Sequence, residues 1–226
     1  MTFDDRVAAS RRTIAQFALA EYPGEICIIS SFGAESAALL HLATSVDRAI
    51  PVRFIDTGRH FPETLAYRDA LAARLGLTDL LSIRPDGREI AANDPDRTLA
   101  ETDPDACCRI RKIEPFAAVS RRFRAIFTGR KRHHGAARAG LGSVEVVDGL
   151  VRIHPLADWT TDDMTRYMAT HHLPAHPLVA AGYGSIGCAP CTARAGGSED
   201  FRAGRWQGSE KTECGIHLPA TGTFGR

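Results

Sequence analysis

Four short apolar runs, each followed by a helical pattern or a turn signal, constrain this chain most. They are Glu25-Ile26-Cys27-Ile28-Ile29, Val52-Arg53-Phe54-Ile55, Leu80 to Ile83 and Ala125-Ile126-Phe127-Thr128. Runs of this length and apolarity suit strands buried on both faces, as in a parallel sheet covered by helices. Arg6 to Glu21 is amphipathic and ends at Pro23-Gly24. Ala37 to Ala43 continues the first run as a helix. Phe61-Pro62-Glu63-Thr64 opens another that reaches Leu75, with Gly76 as its C-cap. Asp148-Gly149 turns a hairpin between Val144–Val147 and Val151–Ile153. Thr160-Thr161-Asp162-Asp163 caps a last helix, which ends near His171-His172. The polar stretch Arg84 to Asp105, with three prolines, reads as a loop with one short helix.

The chain has 226 residues, enough for one α/β domain with an extension. After Pro174 the composition turns to Gly, Pro, Arg and Ser with little apolar periodicity. The expected organisation is therefore an α/β domain over residues 1–173 and a wrapping extension over 174–226. The net charge of +1 lacks the general basic footprint of a nucleic-acid binder. No apolar run approaches a membrane span, and Met1 to Arg6 lacks a signal-peptide layout. The expected place is the cytoplasm, where thiols stay reduced.

The strand ends carry the polar motifs. Ser30-Ser31-Phe32-Gly33-Ala34-Glu35-Ser36 joins the first strand to a helix start, a place where backbone N–H groups attract phosphate or sulfate. Read alone, it also suits an ordinary strand–helix turn. Asp56-Thr57-Gly58 ends the second strand, where an open parallel sheet binds a ribose or a base; Asp56 is also suited to capping the next helix. Gly129-Arg130-Lys131-Arg132-His133-His134-Gly135, with Arg138 beyond it, leaves the fourth strand. A basic loop there, in a near-neutral chain, points to an anionic ligand. The two histidines read as exposed rather than metal-ligating.

Four of the six cysteines form two pairs, Cys107-Cys108 and Cys188-Ala189-Pro190-Cys191. A C-x-x-C pair suits a redox couple, half a zinc site or an iron–sulfur site. Adjacent thiolates crowd a single tetrahedral ion, whereas a multi-iron cube offers each its own corner. Four thiolates is the usual set for a [4Fe–4S] cluster. Zinc, and disulfides or free thiols, stay open as alternatives. Arg109, Arg111 and Lys112 follow the first pair and can offset its negative charge. Cys27 reads as a small core hydrophobe. Cys214 stands in a Gly-rich tail between Lys211 and His217, which suits a nucleophilic or redox thiol.

Together these blocks, with Gly187-Cys188-Ala189-Pro190-Cys191-Thr192 and Glu213-Cys214-Gly215-Ile216-His217, resemble the sulfonucleotide reductases over about Cys27 to His217. The cysteine pairs are similar to those of the cluster-bearing assimilatory adenylyl-sulfate reductase branch. The phosphoadenylyl-sulfate reductases resemble the chain elsewhere but lack them. The resemblance implies a Rossmann-like parallel sheet of the adenine nucleotide α-hydrolase type and a [4Fe–4S] cluster on Cys107, Cys108, Cys188 and Cys191. It implies reduction of adenylyl sulfate to sulfite and AMP through an S-sulfocysteine on Cys214, with thioredoxin or glutaredoxin as reductant. Ser30, Ser31, Phe32, Gly33, Ser36, Asp56, Thr57 and Gly58 would hold the nucleotide. Lys112, Arg130, Lys131, Arg138, Arg202, Arg205 and His217 would surround the phosphate–sulfate end. Thr192-Ala193-Arg194-Ala195 departs from the Thr-Arg-Pro common after the second C-x-x-C cysteine, and His133-His134 departs after the basic loop. A reductase for the 3′-phosphorylated substrate, or for both, is the nearest alternative. An ATP-pyrophosphatase-type nucleotidyl transferase and a zinc-stabilised nucleotide-binding module are more distant. No nucleic-acid or membrane partner is expected, and a homo-oligomer is compatible with the chain.

Overall fold

A computed structural model describes residues 1–135, 138–195, 201–207, 211 and 213–218. Helix α1 (Phe3–Ala15) starts on a capping box: the Asp5 N–H donates to the Thr2 hydroxyl, and the Thr2 N–H donates back to the Asp5 carboxylate. A π-helical stretch, Gln16–Glu21, extends it. The sheet then builds from β1 (Ile26–Ile29), β2 (Val52–Ile55), β3 (Leu80–Ile83), β4 (Ala125–Phe127), β5 (Val144–Val147) and β6 (Leu150–Ile153). Their spatial order is β3-β2-β1-β4-β6-β5. All neighbours are parallel except β5, which pairs antiparallel with β6 at one edge.

Strand alternation explains why the runs are continuously apolar. Ile26 and Ile28, Val52 and Phe54, and Ala125 and Phe127 face one core. Cys27, Ile55 and Ile126 face a smaller cluster with Phe116, Val119 and Leu150 on the other side. Cys27 is fully buried there, and burial pushes its thiol up to about 12, so it packs as a hydrophobe. Helices α2 (Ser36–Val46), α3 (Pro62–Leu75) and α8 (Thr161–Thr170) help to cover the larger core. Gly76 ends α3 at φ 63°, the left-handed region that glycine enters without a Cβ penalty.

The stretch from Arg84 to Asp105 holds more helix than its polarity suggests. It contains α4 (Gly87–Asn93), α5 (Leu99–Thr102) and the start of α6 (Pro104–Cys108), instead of one short helix. Aspartate side chains account for this, capping α4 and α6 and tying the first N–H of α5 to Asp94. Asp86 accepts the Arg88 N–H, Asp94 the Leu99 N–H, and Asp103 those of Asp105 and Ala106. A π-helical turn (Arg109–Ile113) and α7 (Glu114–Ser120) lead on to β4.

The chain leaves β1 toward β2 and β3, then returns to β4 on the opposite side of β1. The loops after β1 and β4 therefore diverge at a switch point, where open α/β sheets form their ligand crevice. Beyond Pro174 the chain forms α9 (Pro177–Ala180) and two short 3₁₀ turns, Ala189–Cys191 and Gly215–His217. It lies against the strand ends through the Ala189 N–H to Arg59 carbonyl bond (2.7 Å) and a bridge between His60 and Cys188. No helix among the described residues is long and apolar enough to cross a membrane.

Candidate active site

A cavity of about 210 Å³ opens at the switch point. Its floor is the loop after β1. The Ser30 hydroxyl accepts the Phe32 N–H at 3.2 Å, and Ser36 donates to the Gly33 carbonyl at 2.7 Å. Phe32 takes a left-handed φ of 47° and sends its ring into the core, edge-on to Phe54. That anchor holds Ser30, Ser31, Gly33 and Ser36 along the cavity. Helix α2 begins there without a side-chain cap, the kind of start that suits an anion. A Cβ on Gly33 would meet the Ile186 carbonyl oxygen at 3.0 Å, so glycine lets the C-terminal extension close over the loop.

Cations crowd one side, each tied to a protein group. Lys131 Nζ is 2.9 Å from Glu35 Oε2, and both groups line the cavity. Burial works to raise the Glu35 pKa, but Lys131 and His134 outweigh it and hold the carboxyl at about 2. Arg138 grips Glu213 with two bonds of 2.6 and 2.9 Å, and Arg202 reaches the same carboxylate at 3.2 Å. Arg130 pairs with Glu145 at 3.2 Å. Arg205 donates to the Cys191 carbonyl, and its guanidinium lies 4.5 Å from the Trp206 ring centroid.

Beside this cavity a smaller hollow is lined by Cys107, Cys108, Cys188 and Cys191, with Thr57, Arg111 and Lys112. Helix α6 and the turn after it place the first pair, and the bridge to His60 places the second. Burial raises the Cys107 thiol to about 11, with the neighbouring thiols adding to it, and burial raises Cys108 and Cys191 as well. Cys188 goes the other way: burial opposes its ionisation, but Lys112 and the Thr57 hydroxyl, 3.2 Å from its sulfur, prevail. Lys112 lines both spaces and stays charged: burial opposes that too, yet electrostatic attraction to the sulfurs of Cys188, Cys214 and Cys108 overcomes it. Arg111 bonds the Thr57 carbonyl and the Asp94 carboxylate, whereas Arg109 turns out to Glu114 at the surface. Among the described residues, no three His, Cys, Asp or Glu side chains converge as ligands of one metal ion.

Cys214 lies on the cavity wall with His217. Burial lowers the His217 pKa strongly, so its imidazole is neutral at neutral pH. Lys211 Nζ bonds Asp105 at 2.6 Å, which ties this segment to helix α6.

The fold thus brings Ser30, Ser31, Gly33, Ser36, Lys112, Arg130, Lys131, Arg138, Arg202, Arg205, Cys214 and His217 around one cavity. Phe32 stands behind the loop, in the core. Asp56, Thr57 and Gly58 lie outside the cavity lining. Asp56 accepts the Gly58 N–H and an Arg84 bond, Thr57 faces Cys188, and Gly58 accepts from Arg97. His133 is exposed as expected, but His134 is buried against Glu35 and stacked on Phe201. Arg194 lies over the Tyr183 ring, away from the cavity. Sequence reasoning gave no role to Glu35, His60, Glu213 or Arg152. Glu35 and Glu213 stood inside quoted motifs, and a carboxylate beside an anion site was the available signal. His60 and Arg152 carry none, because only tertiary packing puts His60 on the cavity and Arg152 on the Ile216 carbonyl.

The chain matches the family described as "Phosphoadenosine phosphosulfate reductase domain" over residues 25–194. It is 54% identical over 194 residues to an adenosine 5'-phosphosulfate reductase of Mesorhizobium japonicum, covering 86% of this chain and 76% of that one. A Streptomyces coelicolor protein of the same name is 38% identical over 213 residues, covering 92% and 89%. In structure the chain is similar to a phosphoadenylyl-sulfate reductase from Candida auris, solved as a phosphate complex, with TM-score 0.70 and 25% identity over 84% of this chain and 96% of that one. It shares its fold alone with Candida glabrata FMN adenylyltransferase, at TM-score 0.60 and 20% identity over 86% and 68% of the two chains. With the family matched over residues 25–194 and relatives this similar along most of their length, the chain belongs to the phosphoadenosine phosphosulfate reductase family.

Proposed function

We propose that this chain reduces adenylyl sulfate to sulfite and AMP, with Cys214 as the nucleophile. The observation that supports this best is the presence of Cys214 in one cavity with the β1 loop and the cations Lys112, Arg130, Lys131, Arg138, Arg202 and Arg205. The Cys214 thiolate attacks the sulfate sulfur; a sulfur–sulfur bond forms and the sulfur–oxygen bond to AMP breaks, its electron pair leaving on the phosphate oxygen. An external thiolate, from thioredoxin or glutaredoxin, then attacks the Cys214 sulfur and sulfite departs with the sulfur–sulfur pair. The second thiol of that partner resolves the mixed disulfide and returns Cys214 as thiolate. The cavity cations hold the phosphate and sulfate, and the neutral His217 can donate one hydrogen bond to an oxygen there.

The four thiols around the smaller hollow match in number and type the donors of a [4Fe–4S] cluster, which Cys107, Cys108, Cys188 and Cys191 would hold. Such a cluster would supply a buried centre of charge beside Lys112. The neighbouring residues do the rest: Thr57 and Arg111 hold the thiol loops in place, and Lys112 presents its charge to the cavity.

The test is an anaerobic incubation with adenylyl sulfate and no reductant. One AMP should appear per chain, and one sulfite-sized mass should be added to the peptide carrying Cys214. Thioredoxin or glutaredoxin should then release sulfite. Cys214→Ser should bind nucleotide and form no adduct. An adduct on Cys188 or Cys191, or normal turnover by the serine variant, overturns the reading. The relatives named adenosine 5'-phosphosulfate reductase favour the unphosphorylated substrate; the same incubation with the 3′-phosphorylated form decides between them.

A further inference from the structure

Cys214 is held from both sides by groups that the proposed chemistry does not use. Ahead of it, the Glu213 carboxylate is buried between two guanidinium groups, bidentate on Arg138 and single on Arg202. The same carboxylate accepts the Cys214 N–H at 2.8 Å. Behind it, the Ile216 carbonyl accepts from Arg152 Nη1 at 2.9 Å. Arg152 rises from β6, with its guanidinium over the Phe116 ring, and Ile216 packs on the small apolar cluster that includes Phe116.

We infer that Glu213 is a positioning residue that fixes the Cys214 thiol over the cavity through Arg138 and Arg202, with Arg152 as the second anchor. The reasoning is geometric. A bidentate carboxylate–guanidinium pair has a fixed plane, and its charge-assisted bonds are the strong ones. The plane of Arg138 therefore sets the Glu213 carboxylate, which in turn sets the backbone N–H of the next residue. Glu213 takes the Nε and Nη2 edge of Arg138, leaving Nη1 for another anion. The two guanidinium groups that would hold a sulfate or phosphate thus also hold the attacking residue. Ile216 gives this turn its apolar anchor, and the polar contacts of Glu213 and Arg152 fix the backbone on either side of Cys214. The inference rests on Cys214 being the attacking thiol.

The test has two readouts on the full chain. In the first, a neutral alkylating agent, iodoacetamide, labels Cys214 without substrate over a pH series, so that access is separated from ionisation. Glu213→Gln should speed labelling of Cys214 by about tenfold, and Arg152→Gln in the same direction, with the other cysteines unchanged. In the second, adduct formation at saturating adenylyl sulfate should slow by roughly tenfold to a hundredfold in Glu213→Gln, with AMP affinity held within about threefold. Glu213→Asp keeps the charge but shortens the reach, and should show the same split more weakly. Unchanged Cys214 labelling in both Glu213→Gln and Arg152→Gln overturns the inference. So does a loss of AMP affinity as large as the loss of rate, because Glu213 would then serve only the cation cluster. If wild-type protein forms no adduct, the functional reading fails, and labelling still decides whether Glu213 docks the thiol.

Discussion

Lys131 places its ammonium 2.9 Å from the Glu35 carboxylate on the lining of the cavity. The pair gives the fold a definite acid response. Glu35 titrates at about 2 in the folded chain, below its ordinary 4.5. A lowered carboxyl pKa adds stability above pH 4.5, which is lost as pH falls toward 2. Burial also pulls the Lys131 pKa down, so the pair is worth less than the Glu35 shift alone implies. Glu35→Gln should therefore lower the urea midpoint at pH 7 and flatten its decline between pH 4.5 and 2. The loss should sit at the low end of roughly 3–5 kcal/mol, because Lys131 can shed its proton. A variant with the wild-type pH profile would show that the pair is not coupled to folding.

Iron content tests the smaller hollow. Protein purified without oxygen should be brown and carry about four irons with acid-labile sulfide. Replacing Cys107, Cys108, Cys188 or Cys191 by serine should remove the iron or sharply reduce it, and Cys214→Ser should leave it in place. Folded wild-type protein with zinc and no iron would end the cluster reading.

Two glycines of the extension should fail in different ways. A Cβ on Gly187 would come within 2.5–2.8 Å of the Arg205 guanidinium, the far end of a flexible side chain. Gly187→Ala should therefore displace Arg205 and weaken AMP binding by about tenfold, with little change in melting temperature. A Cβ on Gly204 would collide with the backbone carbonyl of Ala193, whose N–H bonds the Gly204 carbonyl at 2.7 Å. No rotamer relieves that clash, so Gly204→Ala should lower thermal stability and expose the extension to protease. Equal effects of the two on melting temperature would contradict this contrast.

Lys112 lines both spaces and should couple them. Lys112→Gln should keep the iron and slow formation of the Cys214 adduct by roughly tenfold to a hundredfold. Full iron with an unchanged adduct rate would make Lys112 a structural counter-charge only.

Much of the fold was legible because local rules and global packing agree. The apolar runs became β1 to β4 within a residue, Gly76 took the left-handed cap, and Thr160 formed its capping box. The stretch Arg84 to Asp105 was read too loosely, because aspartate caps make helix starts where composition shows only polarity. The basic loop and the cysteine pairs were visible as chemistry, and the fold sets both at one end of the sheet.

The sequence by itself determined the residue types: two thiol pairs, a small polar loop after a buried strand, a basic loop and a lone tail cysteine. Side-chain period and turn chemistry are local, so they can be read along a chain. Only the tertiary structure decided the partners. It put Glu35 on Lys131, Glu213 on Arg138 and Arg202, and the Ile216 carbonyl on Arg152, and it turned Thr57 toward Cys188 instead of the cavity. Each of these contacts joins residues brought together at the switch point or by the folding back of the extension. Charge pairing in a buried site depends on distance and desolvation in three dimensions, and spacing along the chain specifies neither.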